Sequence, residues 1–156
     1  MRRSVAIVLA AVLAAALVVS VSAFAAKGKG KRKHGQVVTV IAHATTGATT
    51  DTGPSGDSAG DILTFGNDVF DSADANKVGT DQGSCVRIVP GESYECMWTT
   101  FLPKGQITVE GPFYDRKDST LAITGGTGRY RNARGQMDLQ SREGGSKFAF
   151  VFHIIG

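Results

Sequence analysis

The sequence predicts an all-β domain, an eight-stranded antiparallel β-barrel, on three observations. No window after Gln36 keeps a 3.6-residue apolar period for about 11 residues. Short β-branched and aromatic runs recur instead, separated by Gly, Pro, Asp and Ser. Eight such runs with tight connections suit a closed antiparallel barrel, whose interior can hold one small ligand.

The strands follow in order. Val37 to Ala44 is the first, and Thr45 to Gly60 a long polar loop with Pro54 and several glycines. Asp61 to Phe70 is the second. Lys77 to Val89 is the third, with a candidate interruption at Gly83. Pro90-Gly91 signals a turn into a fourth strand, Tyr94 to Leu102. Pro103-Lys104-Gly105 leads to Gln106–Phe113, the fifth. Thr120–Thr124 is the sixth, and Gly125 to Ala133 is irregular with room for one helical turn. Gly135–Ser141 and Lys147–Ile155 complete the eight.

The Pro90-Gly91 turn sets a register. With those two as loop residues, Val89 faces Glu92, Arg87 faces Tyr94 and Cys85 faces Cys96. Directly opposed Cβ atoms lie roughly 4.5–5.5 Å apart, close to disulfide reach. A Cys85–Cys96 disulfide is therefore expected, against the alternative of two free buried thiols. In the last strand Phe148, Phe150, Phe152 and Ile154 share one face, while Ala149, Val151 and Ile155 share the other, broken by His153. A strand apolar on both faces is buried on both. One face meets the lumen, and a second subunit is the simplest cover for the other.

The start of the chain reads as an address. Arg2 and Arg3 precede an apolar run of about 15 residues, and Ala23-Phe24-Ala25 has the small-x-small form of a cleavage site. That run is shorter than the roughly 20 residues a spanning helix needs, which weighs against an uncleaved anchor. Residues 1–25 are read as a signal peptide, 26–36 as a basic disordered arm and 37–156 as one domain, secreted to the outside. Export to an oxidising compartment favours the disulfide. The arm, KGKGKRKH over residues 27–34, holds Lys27, Lys29, Lys31, Arg32 and Lys33. A weak contact with an anionic surface is one reading of it; a solvated tail is the other. From Gln36 onward 10 Lys plus Arg face 14 Asp plus Glu, a net of −4, so the chain's formal +3 does not describe the domain.

Three segments then resemble a known family. GDILTFGNDVFD at 60–71, GPF at 111–113 and LAITGGTG at 121–128 are similar, in order and spacing, to allene oxide cyclase segments GDLVPFTNKLYDG, QGPY and LAITGGSG. GGTGRYRNARG at 125–135 resembles GGTGKFRMARG of the related dirigent proteins. The resemblance implies an eight-stranded barrel, trimeric relatives and a pocket for a reactive small molecule. It places Asn67 at the family's second pocket Asn, Phe65 at the Phe before it, and Cys85 at a pocket-side Cys. It also places Ala42 and Ala44 at the family's Glu and first Asn, and Phe113 at its Tyr. Steering an epoxide opening needs groups that stabilise developing charge in a dry pocket, and Ala42, Ala44 and Phe113 offer none.

Other candidates resolve blandly. Arg129, Arg131 and Arg134 read as surface salt-bridging groups. The ITGGTG glycines read as a backbone corner, because no strand–loop–helix unit with a Lys follows as a phosphate loop requires. His43 has the parity of an outward residue, and His34, His43 and His153 lack metal-ligand spacing. DTGPSGDSAGD at 51–61 has the Asp content of a calcium loop without its terminal Glu or spacing. No metal, cofactor or nucleic-acid partner is called for. Three readings remain. The first is a binding module for a small, mostly apolar lipid or phenolic, with Phe65, Trp98, Phe113 and the last-strand Phe residues as lining and Asn67 as polar handle. The second is an isomerase or dirigent-type protein, which needs a charged group inside the barrel, with Arg131, Asp68 and Glu95 as candidates. The third is a structural surface protein, which predicts a filled lumen.

Overall fold

The computed structural model describes residues 35–155. The proposed signal peptide and the arm's cations lie outside the described residues. Eight strands follow: β1 Gln36–Thr50, β2 Ile62–Phe70, β3 Lys77–Val89, β4 Ser93–Leu102, β5 Gly105–Tyr114, β6 Ser119–Gly126, β7 Arg134–Arg142 and β8 Lys147–Ile155. Each pairs antiparallel with the next, and β8 returns to β1 to close the barrel. Single 3-10 turns sit at Gly128–Tyr130 and Glu143–Gly145.

The main departure from the sequence reading is β1. Its polar tail TTGATT does not loop out at Thr45. It continues as strand to Thr50 after a register shift between His43 and Thr46. Thr46 to Thr50 pair with β2 alone, because pairing with β8 stops at His43–Lys147. Backbone hydrogen bonds to β2 are available whatever the side chains, which is why a polar Thr/Gly run can extend a strand. β2 starts at Ile62, not Asp61. The Asp61 carboxylate instead accepts hydrogen bonds from the Thr52 N–H (3.0 Å), the Ser58 N–H (2.8 Å) and the Ser58 hydroxyl (3.1 Å). Those backbone donors hold its carboxyl below the usual range and order the 51–61 loop.

β3 is continuous through Gly83. Gly83 is required by a close approach: a Cβ there would fall 2.3 Å from Trp98 Cβ. At the following hairpin the expected Val89–Glu92 pair is replaced by Val89–Ser93. The loop takes in Glu92, whose N–H donates to the Val89 carbonyl, and Gly91 occupies the left-handed region at φ 68°. The shift is absorbed before Arg87, so Arg87–Tyr94 and Cys85–Cys96 pair as expected. The two cysteines form a disulfide with Cα atoms 4.0 Å apart.

Period-2 alternation sends one set of side chains inward on every strand. Three cross-strand rows organise one side of the lumen. They are Leu63–Cys85–Cys96–Gly111, then Phe65–Gly83–Trp98–Val109, then Asn67–Asp81–Thr100–Ile107. On β8, Phe148, Phe150, Phe152 and Ile154 point into this core, as their spacing predicts. On its other face Ala149 is buried, Val151 is half-buried, His153 pairs with Asp138, and Ile155 is exposed.

Candidate functional site

A cavity of about 220 Å³ opens within the barrel. Phe65, Asn67, Trp98 and Phe113, singled out from the sequence, all line it, together with Phe148 and Phe150. The Cys85–Cys96 disulfide forms part of the wall. Ala44, Thr46, Gly47 and Gly145 mark where the cavity reaches the seam beyond the last β1–β8 pair. The same departure that lengthens β1 thus shapes the mouth.

The aromatic walls brace one another. Trp98 lies edge-on to Phe65 at 6.0 Å and tilted to Phe150 at 5.5 Å, and Phe113 meets Phe148 edge-on at 5.9 Å. Such pairs favour defined ring orientations, so the walls are preset. Asn67 is 8% exposed. Its Oδ1 accepts from the Thr45 N–H at 3.1 Å, a donor freed by the shift in β1. The side-chain amide is thereby oriented.

The charged candidates sort differently. Asp68 faces outward and pairs with Lys77 at 2.6 Å. Glu95 is exposed, as are Arg129, Arg131 and Arg134. None of those three arginines pairs with a carboxylate among the described residues, so their expected salt-bridging is corrected; Arg134 donates to the Ala133 carbonyl instead. His43 faces outward, stacks on Phe70 at 4.1 Å and contacts Asp74. Ala42 is fully buried facing inward.

Two inward ionisable groups escaped the sequence reading. Asp81 is 2% exposed, and neither carboxyl oxygen has a hydrogen-bond partner among the described residues. Burial pushes it up to about 7; its neighbour Asn67 pulls in the opposite direction without reaching full hydrogen-bond geometry. Beside it the Trp98 Nε1–H and the Thr100 hydroxyl are also unpaired. Arg87 is buried at the mouth end. It donates to both Asp115 oxygens (2.9 and 2.8 Å) and to the Tyr94 hydroxyl (2.7 Å), and pairs through Nε with Asp57 at 2.7 Å. Its guanidinium lies 3.6 Å from the centroid of the Tyr94 ring. The signal was present: once Cys85 is taken as inward, period 2 turns Asp81, Gly83 and Arg87 inward too.

No group of three His, Cys, Asp or Glu side chains is disposed to hold a metal among the described residues. In the Asp-rich 51–61 loop, Asp51 and Asp61 accept from the loop's own backbone, while Asp57 pairs with Arg87 and accepts from the Gly91 N–H.

The family model of allene oxide cyclase matches residues 42–156. The chain belongs to the allene oxide cyclase family. Among solved structures it is similar to a pyocyanin demethylase, with 28% identity and TM-score 0.63, over 74% of this chain and 98% of that one. A pterocarpan synthase dirigent protein shares the fold at 19% identity and TM-score 0.60, over 81% and 99% of the two chains. So does AbnU, an exo-specific intermolecular Diels-Alderase, at 15% identity and TM-score 0.63, over 79% and 99%. In this allene oxide cyclase-family barrel, Ala44 and Phe113, which the sequence resemblance sets at polar positions of the family, stand on the cavity wall.

Proposed function

We propose that this protein is a secreted barrel that binds a small, mostly apolar molecule in its lumen. The cavity carries the reading: aromatic and aliphatic walls with Asn67 as a polar handle. Ligand pockets are mostly apolar with few placed polar groups. At about 220 Å³ it exceeds the roughly 150 Å³ site that accepts benzene, so one or two fused rings fit it best. The leader sequence and a disulfide suited to oxidising surroundings support secretion. Trimeric association belongs to the same reading through the family resemblance, and a monomer mass at micromolar concentration would remove it. Native mass spectrometry of protein purified from its own source should show a co-purified lipid or phenolic. Its absence, together with no thermal shift across a fatty-acid and phenolic panel, counts against the proposal.

A second reading, steering cyclisation or coupling of a reactive intermediate, gains from one observation. Asp81 is a lumen-facing carboxyl whose affinity for a proton suits neutral pH. The names of the similar structures, a demethylase, a dirigent protein and a Diels-Alderase, agree with chemistry on this fold. Allene oxide cyclisation and monolignol coupling assays test it. Product distributions equal to the protein-free control dispose of both reactions. A filled lumen would have favoured the structural-protein reading, and the open cavity does not favour it.

A further inference from the structure

We infer that the lumen selects flat aromatic cations over neutral molecules of the same shape, with the Asp81 carboxylate as counter-charge. The inference rests on the lumen being a ligand site, as proposed above.

A buried carboxylate is normally paired, because taking an isolated charge out of water is costly. Asp81 is buried and its two oxygens are unpartnered. No cation of this chain serves it among the described residues. From β2 its neighbours are Asn67 and Val69, and from β4 Trp98 and Thr100. Across the lumen, β1 and β5 to β8 present only apolar core side chains near this level. The remaining inward ionisable groups are Arg87 and Tyr94 at the mouth and Tyr130 in the β6–β7 connection. Arg87 stands three inward positions along β3 and is already held by Asp57 and Asp115. The barrel therefore contains an acid without its base.

The cavity adjoins this acid. Asn67 lines it and is the register partner of Asp81. Phe65 and Trp98 line it one inward step along, a rise of roughly 6–7 Å. On β3 that step is Gly83, which has no side chain to add a layer between. Trp98 already packs against both Phe65 and Phe150, so a ring system lies against the faces they turn to the cavity, and a positive ring atom turned toward Asn67 points to the carboxylate one layer below, over aromatic faces that themselves favour cations. At such a separation and an effective dielectric near 20, one charge pair sizes the preference at about tenfold or more. Because Asp81 is pushed up to about 7, it is half protonated near neutrality. Cation binding must then expel its proton, and affinity must rise with pH.

Trp98 is the chain's only tryptophan, so its fluorescence reports on the cavity. N-methylquinolinium and its neutral isostere 1-methylnaphthalene are the probes, titrated into the full mature chain at pH 5 and pH 8.5 by Trp98 quenching and calorimetry. The cation should gain about tenfold or more between the two pH values and release a proton on binding near pH 7, while the naphthalene changes less than about twofold. Asp81→Asn should erase the cation's gain and leave naphthalene binding intact. Cation affinity that is flat with pH, or a pH gain that survives Asp81→Asn, overturns the inference. Proton release in the unaltered protein decides the matter if Asp81→Asn does not fold. If neither probe binds at either pH, the lumen reading itself falls, whereas naphthalene binding with a flat cation response sinks only the selectivity.

Discussion

Asp81 is the residue at which local pattern and tertiary setting disagree most. By composition it is one more Asp in a polar stretch, Thr80-Asp81-Gln82. In the barrel it faces inward between Asn67 and Thr100, as buried as Asp61 but without the hydrogen bonds that Asp61 accepts. The folded state binds its proton more tightly than the unfolded chain does. Its destabilising effect is therefore absent below the unfolded value near 4, grows as pH rises, and is complete above about 7. The shift corresponds to a ceiling of about 4 kcal/mol. Asp81→Asn should accordingly raise the denaturation midpoint at pH 8 and change it little at pH 4. Equal effects at both values would show that the carboxyl is not taken from water as its burial indicates. Asn67 is the contrasting residue: it was legible from the FGND segment, and the structure adds only what orients its amide.

At the level of elements, the β3–β4 hairpin and the 51–61 loop are fastened by different chemistry. The disulfide closes a short loop, separation 11 in sequence, and its loss should cost about 2–3 kcal/mol. Cys85→Ser with Cys96→Ser should show that loss in urea unfolding, along with weaker binding of any lumen ligand, since both sulfurs stand in the cavity wall. The loop is held by Arg87, whose backbone also pairs with it: the Gly60 N–H donates to the Arg87 carbonyl and the Arg87 N–H to the Asp61 carbonyl. Arg87→Met keeps the backbone bonds and leaves Asp57 and Asp115 facing each other without a cation. Arg87 is buried but both carboxylates reach solvent, so the loss should be about 1–2 kcal/mol, well below that of a fully buried pair. Faster proteolysis between Asp51 and Asp61 is the local readout, and unchanged cleavage would mean the ion pair does not hold the loop. The hairpin was legible because turn residues and cysteine spacing are local. The Arg87–Asp57–Asp115 cluster was not, because its members come from β3, the 51–61 loop and the β5–β6 connection.

For the whole molecule, closure of the barrel is what produces a site. The β1–β8 seam ends at His43–Lys147, and the cavity meets the surface just beyond it. Ala44→Phe, placed at that rim, should abolish ligand-induced thermal shifts while leaving the β-sheet circular dichroism spectrum unchanged. Persistence of the shift would place the route to the lumen elsewhere. From Gln36 onward the chain carries an acidic excess of four, so the barrel is acidic although the whole chain is formally basic.

By itself the sequence determined the class of the fold, the count and order of its strands, the cysteine pairing and the four side chains Phe65, Asn67, Trp98 and Phe113 at the cavity. The fold, strand order and cysteine pairing follow from alternation and turn chemistry, which act over a few residues or one hairpin, and Phe65, Asn67 and Phe113 follow from the resemblance of short motifs to the family. Tertiary structure alone decided that β1 runs on to Thr50, that the seam opens there, and that Asp81 has no counter-ion among the described residues. The physical reason is shared: an extended strand end, a gap between first and last strands, and an unpaired charge are each defined by what distant segments do or do not bring alongside. Hydrogen-bond closure between β1 and β8, more than a hundred residues apart in the chain, sets that arrangement.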